Sequence, residues 1–137
     1  MSGDSRNVVI GFCNAFERRS VGDVLAYMAP DIVYQNVPLP VMHGTEAVAK
    51  FLTPLLTRTI KIEFKLLSLA VSASGEEVLT ERLDRLRFTT GVVDIPLMGI
   101  FVVRHGKISQ WRDYADNTTV VAGFVNAKID LADLGIA

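Results

Sequence analysis

A predicted strand over residues 78–88 carries two charged side chains on a face that is otherwise apolar. Alternate residues of this strand form one face, made of Val78, Thr80, Arg82, Asp84, Leu86 and Phe88. Arg82 and Asp84 therefore lie in mid-strand, about 6 to 7 Å apart along the backbone. Burying an arginine and an aspartate costs several kcal/mol unless the two are well paired. The pair is either a buried ion pair that fixes strand register or the charged part of a functional site.

Two further segments place polar side chains on strand faces. Trp111 and Asp113 are two residues apart and share a face, which puts a second carboxylate beside a large apolar surface. Tyr34 and Asn36 share a face of an earlier predicted strand. Each of these residues also has an ordinary structural interpretation: Tyr34 can be half buried in the core, and Asn36 can serve turn chemistry before Pro38. Taken singly, none of the three segments is specific.

The composition describes a chain with much apolar surface and few charges. Of its 137 residues, 50% are hydrophobic and 21% are charged, and the formal net charge is −1. At this length we expect a single domain over residues 1–137 that needs no disulfide or structural metal to fold. The 14 basic and 15 acidic residues form no run of like charge, which argues against nucleic acid or an anionic membrane as partner. A small, mostly uncharged ligand is the better match.

Other functional classes find little support. No segment approaches the roughly 18 unbroken apolar residues of a membrane-spanning helix, and the N-terminus lacks the features of a signal peptide, so we expect a cytoplasmic protein. The single Cys13 forbids an intramolecular disulfide, and His43 and His105 lie far apart, so no metal-ligand spacing is present. Cys13 shares a helical face with Val9 and Phe12, which predicts a core position.

The elements that must position these residues follow from the hydrophobic periodicity. Helical spacing predicts helices over residues 4–19, 21–28, 45–56 and 118–131, with Asp4 or Ser5 as the first N-cap and Pro30 ending the second helix. Strands are predicted over residues 31–37, 60–66, 78–88, 92–104 and 108–114. Glycine-containing turns separate the last strands, which indicates an antiparallel meander. This order predicts an α+β fold in which one curved sheet wraps over the helices and encloses an apolar cavity.

The polar residues lie in motifs that resemble those of the limonene-1,2-epoxide hydrolase family. These motifs are Tyr34-Gln-Asn36 followed by Pro38-Leu-Pro40 and Gly44, then Thr80-Glu-Arg82-Leu-Asp84, then Gly106-Lys-Ile-x-x-Trp111-Arg-Asp113-Tyr114. They occur in order and at similar separation across about residues 5–125. The resemblance implies a nuclear-transport-factor-2-like (cystatin-like, SnoaL-like) cone with a mixed, curved sheet and a deep apolar pocket. Ala115 departs from the pattern, since relatives often have an aromatic residue there, and this leaves the size of the substrate open.

The resemblance also implies a reaction. It implies an epoxide hydrolase that needs no metal or cofactor and opens a small apolar epoxide, cyclic or terpenoid, to a vicinal diol in one step. A water would be held by Tyr34, Asn36 and Asp113, and Asp113 would remove its proton. Asp84 would protonate the epoxide oxygen, while Arg82 bridges the two carboxylates. Two carboxylates and one guanidinium in an apolar cavity favour one shared proton, so that an acid and a base are present together.

Apolar residues on the same inward faces are predicted to form the pocket walls around this polar cluster. They are Leu55, Leu86, Ile95, Leu97 and Trp111. Plain core packing is the alternative for each of them. The outer face of the meander carries further apolar residues, and because relatives commonly dimerise, the resemblance implies a homodimer.

Two other functions stay open at this point. A ketosteroid-isomerase-like or polyketide-cyclase-like enzyme on the same fold would transfer a proton beside a carbonyl. Arg82 argues against it, because those sites generally do not place an arginine between two acids. A non-catalytic ligand-binding or dimerisation module would use Arg82 and Asp84 only as a structural pair.

Overall fold

Helices dominate the first half of the chain and strands the second in the computed structural model, which describes residues 2–135. The elements are α1 (Ser2–Ala15), α2 (Val21–Leu25), β1 (Met28–Val37), β2 (Met42–His43), α3 (Gly44–Arg58), β3 (Lys61–Val71), β4 (Glu77–Phe88), β5 (Gly91–Arg104), β6 (Lys107–Ala115) and α4 (Asn117–Asn126). Short 3-10 helices cover Phe16–Arg18 and Leu131–Leu134. The predicted domain 1–137 also includes Met1, Ile136 and Ala137, which lie outside the described residues. The α+β class and the order of the major elements are confirmed.

The six strands form one sheet in the order β2-β1-β6-β5-β4-β3. Strands β3 to β6 are paired antiparallel, which confirms the predicted meander. Strand β1 is paired parallel with β6, so the first long strand lies beside the last one. This pairing sets Tyr34 opposite Trp111 and Asn36 opposite Asp113. Two of the polar segments found in the sequence are therefore neighbours in the sheet.

Helix α1 covers the inner face of the sheet through an aromatic cluster centred on Phe12. Phe12 and its helical neighbours Val9 and Cys13 are fully buried, which confirms the core position predicted for Cys13. The Phe12 ring makes edge-to-face contacts, at centroid separations of 5.0 to 6.2 Å, with Phe16, Tyr27, Phe101 and Trp111. Edge-to-face packing is a favoured arrangement of aromatic pairs. The helix is thus fixed to strands β5 and β6.

Helices α3 and α4 close the remaining sides of the concave sheet. Helix α3 buries Val48, Leu52 and Leu56 at helical spacing. Helix α4 packs on β5, and its C-cap residue Ala127 comes so close to Gly91 that a Cβ there would lie 3.0 Å from the Ala127 backbone. None of the helices within residues 2–135 is long and apolar enough to cross a membrane.

The start of α1 differs from the sequence prediction. The helix begins at Ser2, so that Asp4 lies within its first turn and neither Asp4 nor Ser5 is the N-cap. The Ser5 hydroxyl instead donates to the carbonyl of Gly75 at 2.8 Å. A tertiary hydrogen bond to the β3–β4 turn has replaced the local cap.

Two further boundaries are set by chain geometry. Helix α2 ends at Leu25, and the prediction that Pro30 ends it is wrong because Pro30 lies in β1. The β1–β6 register shifts between Met28 and Val33, and a proline is tolerated at such an irregularity because no regular ladder bond is required of it. Helix α4 ends at Asn126, short of residue 131, and Lys128 soon after it has a left-handed φ of 60°.

Two residues lie in elements other than the predicted ones. His43 lies with Met42 in the two-residue strand β2, where no strand is predicted, and pairs with Val33. Ile60, the first residue of a predicted strand, lies before β3 and is 57% exposed. His105 lies in the β5–β6 turn and is exposed.

We expect the Phe12→Ala variant to lose about 3 to 5 kcal/mol of unfolding free energy, because removing a buried aromatic ring leaves a cavity among its partners. Urea denaturation followed by circular dichroism measures this loss. The matched control is Val121→Ala, at a side chain that is 45% exposed, which should change stability by no more than about 0.5 kcal/mol. Equal effects of the two substitutions would contradict the central role of Phe12.

Candidate active site

The centre of the site is the fully buried guanidinium of Arg82, all five of whose N–H groups donate hydrogen bonds. Toward Asp84, Nε donates to Oδ1 at 3.1 Å and Nη2 donates to Oδ2 at 2.9 Å. Toward Asp113, Nη1 donates to Oδ1 at 3.2 Å and Nη2 donates to Oδ2 at 2.8 Å. The second N–H of Nη1 donates to the hydroxyl oxygen of Thr80 at 3.3 Å. Arg82 therefore forms a fork-to-fork bridge between two carboxylates.

Period-two alternation along β4 positions the first half of this cluster. Thr80, Arg82 and Asp84 all point inward and are 5% exposed or less, as the sequence predicts. The opposite face of β4 carries Glu81 and Arg85, and it is turned away from the core. Because Arg82 and Asp84 are neighbours on one face of β4, the strand alone brings their side chains into contact.

Gly99 on β5 allows Arg82 to reach a strand that is not its neighbour. Strand β5 lies between β4 and β6, and Gly99 pairs with Thr80 on one side and with Asp113 on the other. A Cβ at Gly99 would collide with Asp113 Oδ1 and Arg82 Nη1, so the guanidinium crosses β5 over the missing side chain. The sequence analysis did not single out Gly99. A glycine on the inward face of a strand is nevertheless a known sign of close approach.

Trp111 supplies the remaining donor to Asp113. Its Nε1 donates to Asp113 Oδ1 at 2.8 Å. Its ring stacks on Tyr34, with centroids 3.8 Å apart and planes at 11°. Trp111 borders the pocket, as predicted for a wall residue, but it is only 1% exposed and its polar atom faces the acid cluster.

Tyr34 and Asn36 join the cluster through the parallel pairing of β1 with β6. Asn36 Nδ2 donates to Tyr34 Oη at 2.9 Å, and Asn36 is in register with Asp113. Neighbouring strands are only about 4.8 Å apart, so the Asn36 amide and the Asp113 carboxylate stand side by side. Tyr34, Asn36, Asp84 and Asp113 all line one pocket, with Arg82 behind the two acids. The structure brings all five predicted polar residues together.

The pocket above this cluster has mainly apolar walls. All five predicted wall residues line it: Leu55, Leu86, Ile95, Leu97 and Trp111. Further lining residues that were not predicted as wall residues are Val37, Leu39, Phe51, Leu52, Phe64, Ala115, Asn117, Val120 and Phe124. The cavity has a volume of about 110 Å³. Many of the unpredicted residues belong to α3 and α4, whose docking on the sheet cannot be derived from local periodicity.

Burial governs the protonation of the cluster. Burial raises the pKa of Asp84 to about 6, although the nearby Arg82 guanidinium works in the opposite direction. Burial alone would lower the pKa of Arg82, but the two carboxylates raise it well above its ordinary value. Burial also raises the pKa of the Cys13 thiol to about 12 and that of Tyr34 well above its ordinary value. Arg82 is thus cationic and Cys13 and Tyr34 are neutral near neutral pH.

The charge balance of the cluster favours a single bound proton. Arg82 with two ionised carboxylates would carry a net charge of −1 in an apolar interior, whereas one proton makes the group neutral. Such a cluster can present a carboxylic acid and a carboxylate to the same bound molecule. Within residues 2–135 no group of three or more His, Cys, Asp and Glu residues is arranged to hold a metal ion.

Two comparisons with known proteins point to one family. The model of the limonene-1,2-epoxide hydrolase catalytic domain matches residues 4–126. The chain is 31% identical to the epoxide hydrolase EphG of Mycobacterium tuberculosis over 123 residues, which cover 90% of this chain and 80% of EphG.

Solved structures extend the likeness to the fold. An LEH-like epoxide hydrolase from M. tuberculosis matches with a TM-score of 0.79 and 29% identity, covering 95% of this chain and 96% of that one. An NTF2-like protein from Burkholderia pseudomallei matches with a TM-score of 0.76 and 18% identity, covering 88% and 96%. The second match shows the fold alone. With its NTF2-like fold and its matched catalytic domain, the chain belongs to the limonene-1,2-epoxide hydrolase family.

Proposed function

We propose that this protein hydrolyses a small apolar epoxide, cyclic or terpenoid, to a vicinal diol in one step and without a cofactor. The observation that carries the proposal is the Arg82 bridge between Asp84 and Asp113, at an apolar pocket that Tyr34 and Asn36 also line. Membership of an epoxide hydrolase family supports the class of reaction. The identity of the acid, the base and the substrate is our inference from the chemistry of these groups.

Asp113 is the general base in this proposal. Three donors occupy three of the roughly four acceptor positions of its carboxylate, which leaves one on Oδ2 for a proton from water. Because Asn36 donates its amide N–H to Tyr34 Oη, its own carbonyl oxygen is free to accept the second proton of that water. The Tyr34 hydroxyl then donates to the water oxygen. One lone pair remains for attack on an epoxide carbon.

Asp84 is the general acid. Burial raises its pKa to about 6, so Asp84 keeps its proton to a higher pH than an ordinary aspartate, and its oxygens accept hydrogen bonds only from Arg82 among the described residues. As water attacks, the new C–O bond forms, the epoxide C–O bond breaks, and the Asp84 proton moves to the departing oxygen. Asp113 is left protonated and Asp84 ionised. Return of one proton from Asp113 to Asp84 restores the starting state, so that water is the only co-reactant.

The pocket walls support an apolar substrate. Beyond the polar cluster, the one other polar lining residue among those described is Asn117, which is exposed at the start of α4. Ala115 also lines the pocket and adds little bulk to its wall. Apolar walls with a few convergent polar groups are typical of small-molecule sites. A compact hydrocarbon skeleton bearing one epoxide fits this distribution.

We also propose a homodimer that uses the outer face of the meander. The apolar residues on this face are Leu79, Leu83, Pro96, Met98, Ile100 and Tyr114. They are contiguous because Met98 pairs with Tyr114, and Leu79 pairs with Ile100. Met98 and Tyr114 are 51% and 49% exposed, which is unusual for large apolar side chains in neighbouring positions.

The Asp113→Asn and Asp84→Asn variants should each lose about 100-fold or more in kcat, because each lacks one proton-transfer group. Diol formation from limonene oxide in ¹⁸O-labelled water, measured by mass spectrometry, tests this. In a single turnover the diol should carry one labelled oxygen, since no ester with an enzyme carboxylate forms. Asp31→Asn, an exposed carboxylate on β1, is the matched control and should keep wild-type activity.

Four outcomes would overturn this assignment. Full diol formation by either variant would exclude that residue as acid or base. Unlabelled diol in the first turnover would indicate attack by a carboxylate. Isomerisation of an enone without epoxide hydrolysis would favour a proton-transfer enzyme, and ligand binding without turnover would favour a binding module.

The pH dependence should report the Asp84 proton. Because Asp84 must be protonated to act as the acid, we expect kcat/KM to fall as the pH rises above about 6, by about tenfold per unit. The folded-state pKa of Asp84 lies above its ordinary value of 3.8, so its protonation also stabilises the fold at low pH and this contribution is lost as the pH rises through 6. A profile of kcat/KM for the unmodified protein between pH 5 and pH 9 measures this fall. An activity that rises through this range would be inconsistent with Asp84 as the acid.

The Met98→Lys variant should shift the protein from dimer to monomer, because it places a charge in the centre of the apolar face. Sedimentation velocity at micromolar concentration measures the mass. Val41→Lys, at an exposed position outside this face, is the control and should leave the mass unchanged. A wild-type protein that sediments as a monomer would refute the dimer.

A further inference from the structure

The two carboxylates of the cluster do not have equivalent partners. Asp84 accepts two hydrogen bonds, both from Arg82. Asp113 also accepts two from Arg82, at similar distances, and accepts a third from Trp111 Nε1 at 2.8 Å. Arg82 therefore favours ionisation of both acids, whereas the indole N–H acts on Asp113 alone.

Packing fixes the Trp111 ring in one orientation. Tyr34 stacks on it at 3.8 Å, and Phe101 lies nearly parallel to it, with planes at 16° and centroids 5.8 Å apart. Phe12 contacts it edge to face at 5.0 Å. With 1% of its surface exposed, the ring has no room to turn, and its N–H is held on Asp113 Oδ1.

Few titratable groups surround Asp113. Strand β4 contributes Arg82 and Asp84, β1 contributes Tyr34, and α1 contributes Cys13. Strand β5 presents Gly99 there, and the pocket-lining residues of α3 and α4 are all non-titratable. Tyr34 and Cys13 are neutral near neutral pH. Among the described residues, the Trp111 N–H is therefore the one hydrogen-bond donor that Asp113 has and Asp84 lacks.

We propose that Trp111 is a positioning residue that directs the shared proton to Asp84, by holding Asp113 in its ionised form, and that its stacked ring holds Tyr34 in place. This inference rests on the proposed epoxide hydrolysis. An indole N–H is a donor only, and hydrogen bonds to an ionised acceptor are about twice as strong as those to a neutral one. The contact thus favours the tautomer with Asp84 neutral and Asp113 ionised, which is the reactive one. The opposite tautomer has its acid and its base exchanged and cannot act on the water that Asn36 and Tyr34 hold.

The chain offers a direct test because Trp111 is its only tryptophan. Biosynthetic replacement of tryptophan by benzothienylalanine therefore changes this one position, keeping the ring size and replacing N–H by sulfur. We expect kcat for the epoxide to fall about 10- to 100-fold, in line with loss of a hydrogen bond to a charged group. KM should stay within about twofold, because the apolar wall is unchanged.

Trp111→Phe is a second variant, which removes the N–H and also part of the ring. It should show a similar loss of kcat together with lower stability, and circular dichroism with urea denaturation verifies that each protein is folded. Unchanged kcat in the folded benzothienylalanine protein would overturn the inference. A lower kcat accompanied by a KM raised by more than about twofold would overturn it as well, because altered packing of the apolar wall would then account for the effect.

Failure of this inference is distinguishable from failure of the proposed function. Absence of diol with the unmodified protein, or full activity of Asp113→Asn, would refute the hydrolase proposal itself. If the unmodified protein and the Asp113→Asn variant behave as expected, a replacement of Trp111 that leaves kcat unchanged refutes only the role of the indole.

Discussion

The buried guanidinium of Arg82 is the constraint on which the rest of the site depends. An arginine without contact to solvent must give every N–H an acceptor, because each unsatisfied donor and the uncompensated charge would cost several kcal/mol. The molecule meets this demand with acceptors from two strands that are not adjacent. Gly99 on the intervening strand makes the crossing possible. Thr80 accepts the last hydrogen bond from Arg82 and donates its own hydroxyl to the Gly99 carbonyl at 3.1 Å. The polar cluster and the sheet thus satisfy one another's hydrogen bonds.

Satisfying one cation with two carboxylates leaves a surplus negative charge, which one proton bound to the cluster would neutralise. Burial raises the pKa of Asp84, while Asp113 receives the additional donor from Trp111. Two aspartates of identical chemistry therefore differ through their surroundings alone. The difference arises in the sheet, because the parallel pairing of β1 with β6 stacks Tyr34 on Trp111 and puts Asn36 beside Asp113.

The sequence was informative wherever the relevant interaction is local. Alternation along β4 was enough to place Arg82 and Asp84 together on an inward face, because strand period alone decides the face. The contact between β1 and β6 joins segments about 75 residues apart, and no local pattern encodes such a pairing. The same applies to Gly99, whose importance depends on what crosses over it, and to the pocket walls from α4. Trp111 was expected as a wall residue, but the direction of its N–H depends on three aromatic neighbours that only the assembled core brings together.

Stability by itself does not explain this cluster. Replacing a buried ion triad by well-packed apolar residues is often neutral or stabilising, so an apolar interior at β4 and β6 would serve a purely structural role at least as well. The strands instead keep three ionisable groups in contact beside an apolar pocket, where a low dielectric strengthens every charge effect. In water an aspartic acid and an aspartate in contact would exchange protons with solvent and lose their distinction. In this pocket burial and the Trp111 N–H give the two carboxylates different surroundings, and in the proposed mechanism a bound epoxide and one water would meet an acid and a base that are already assigned.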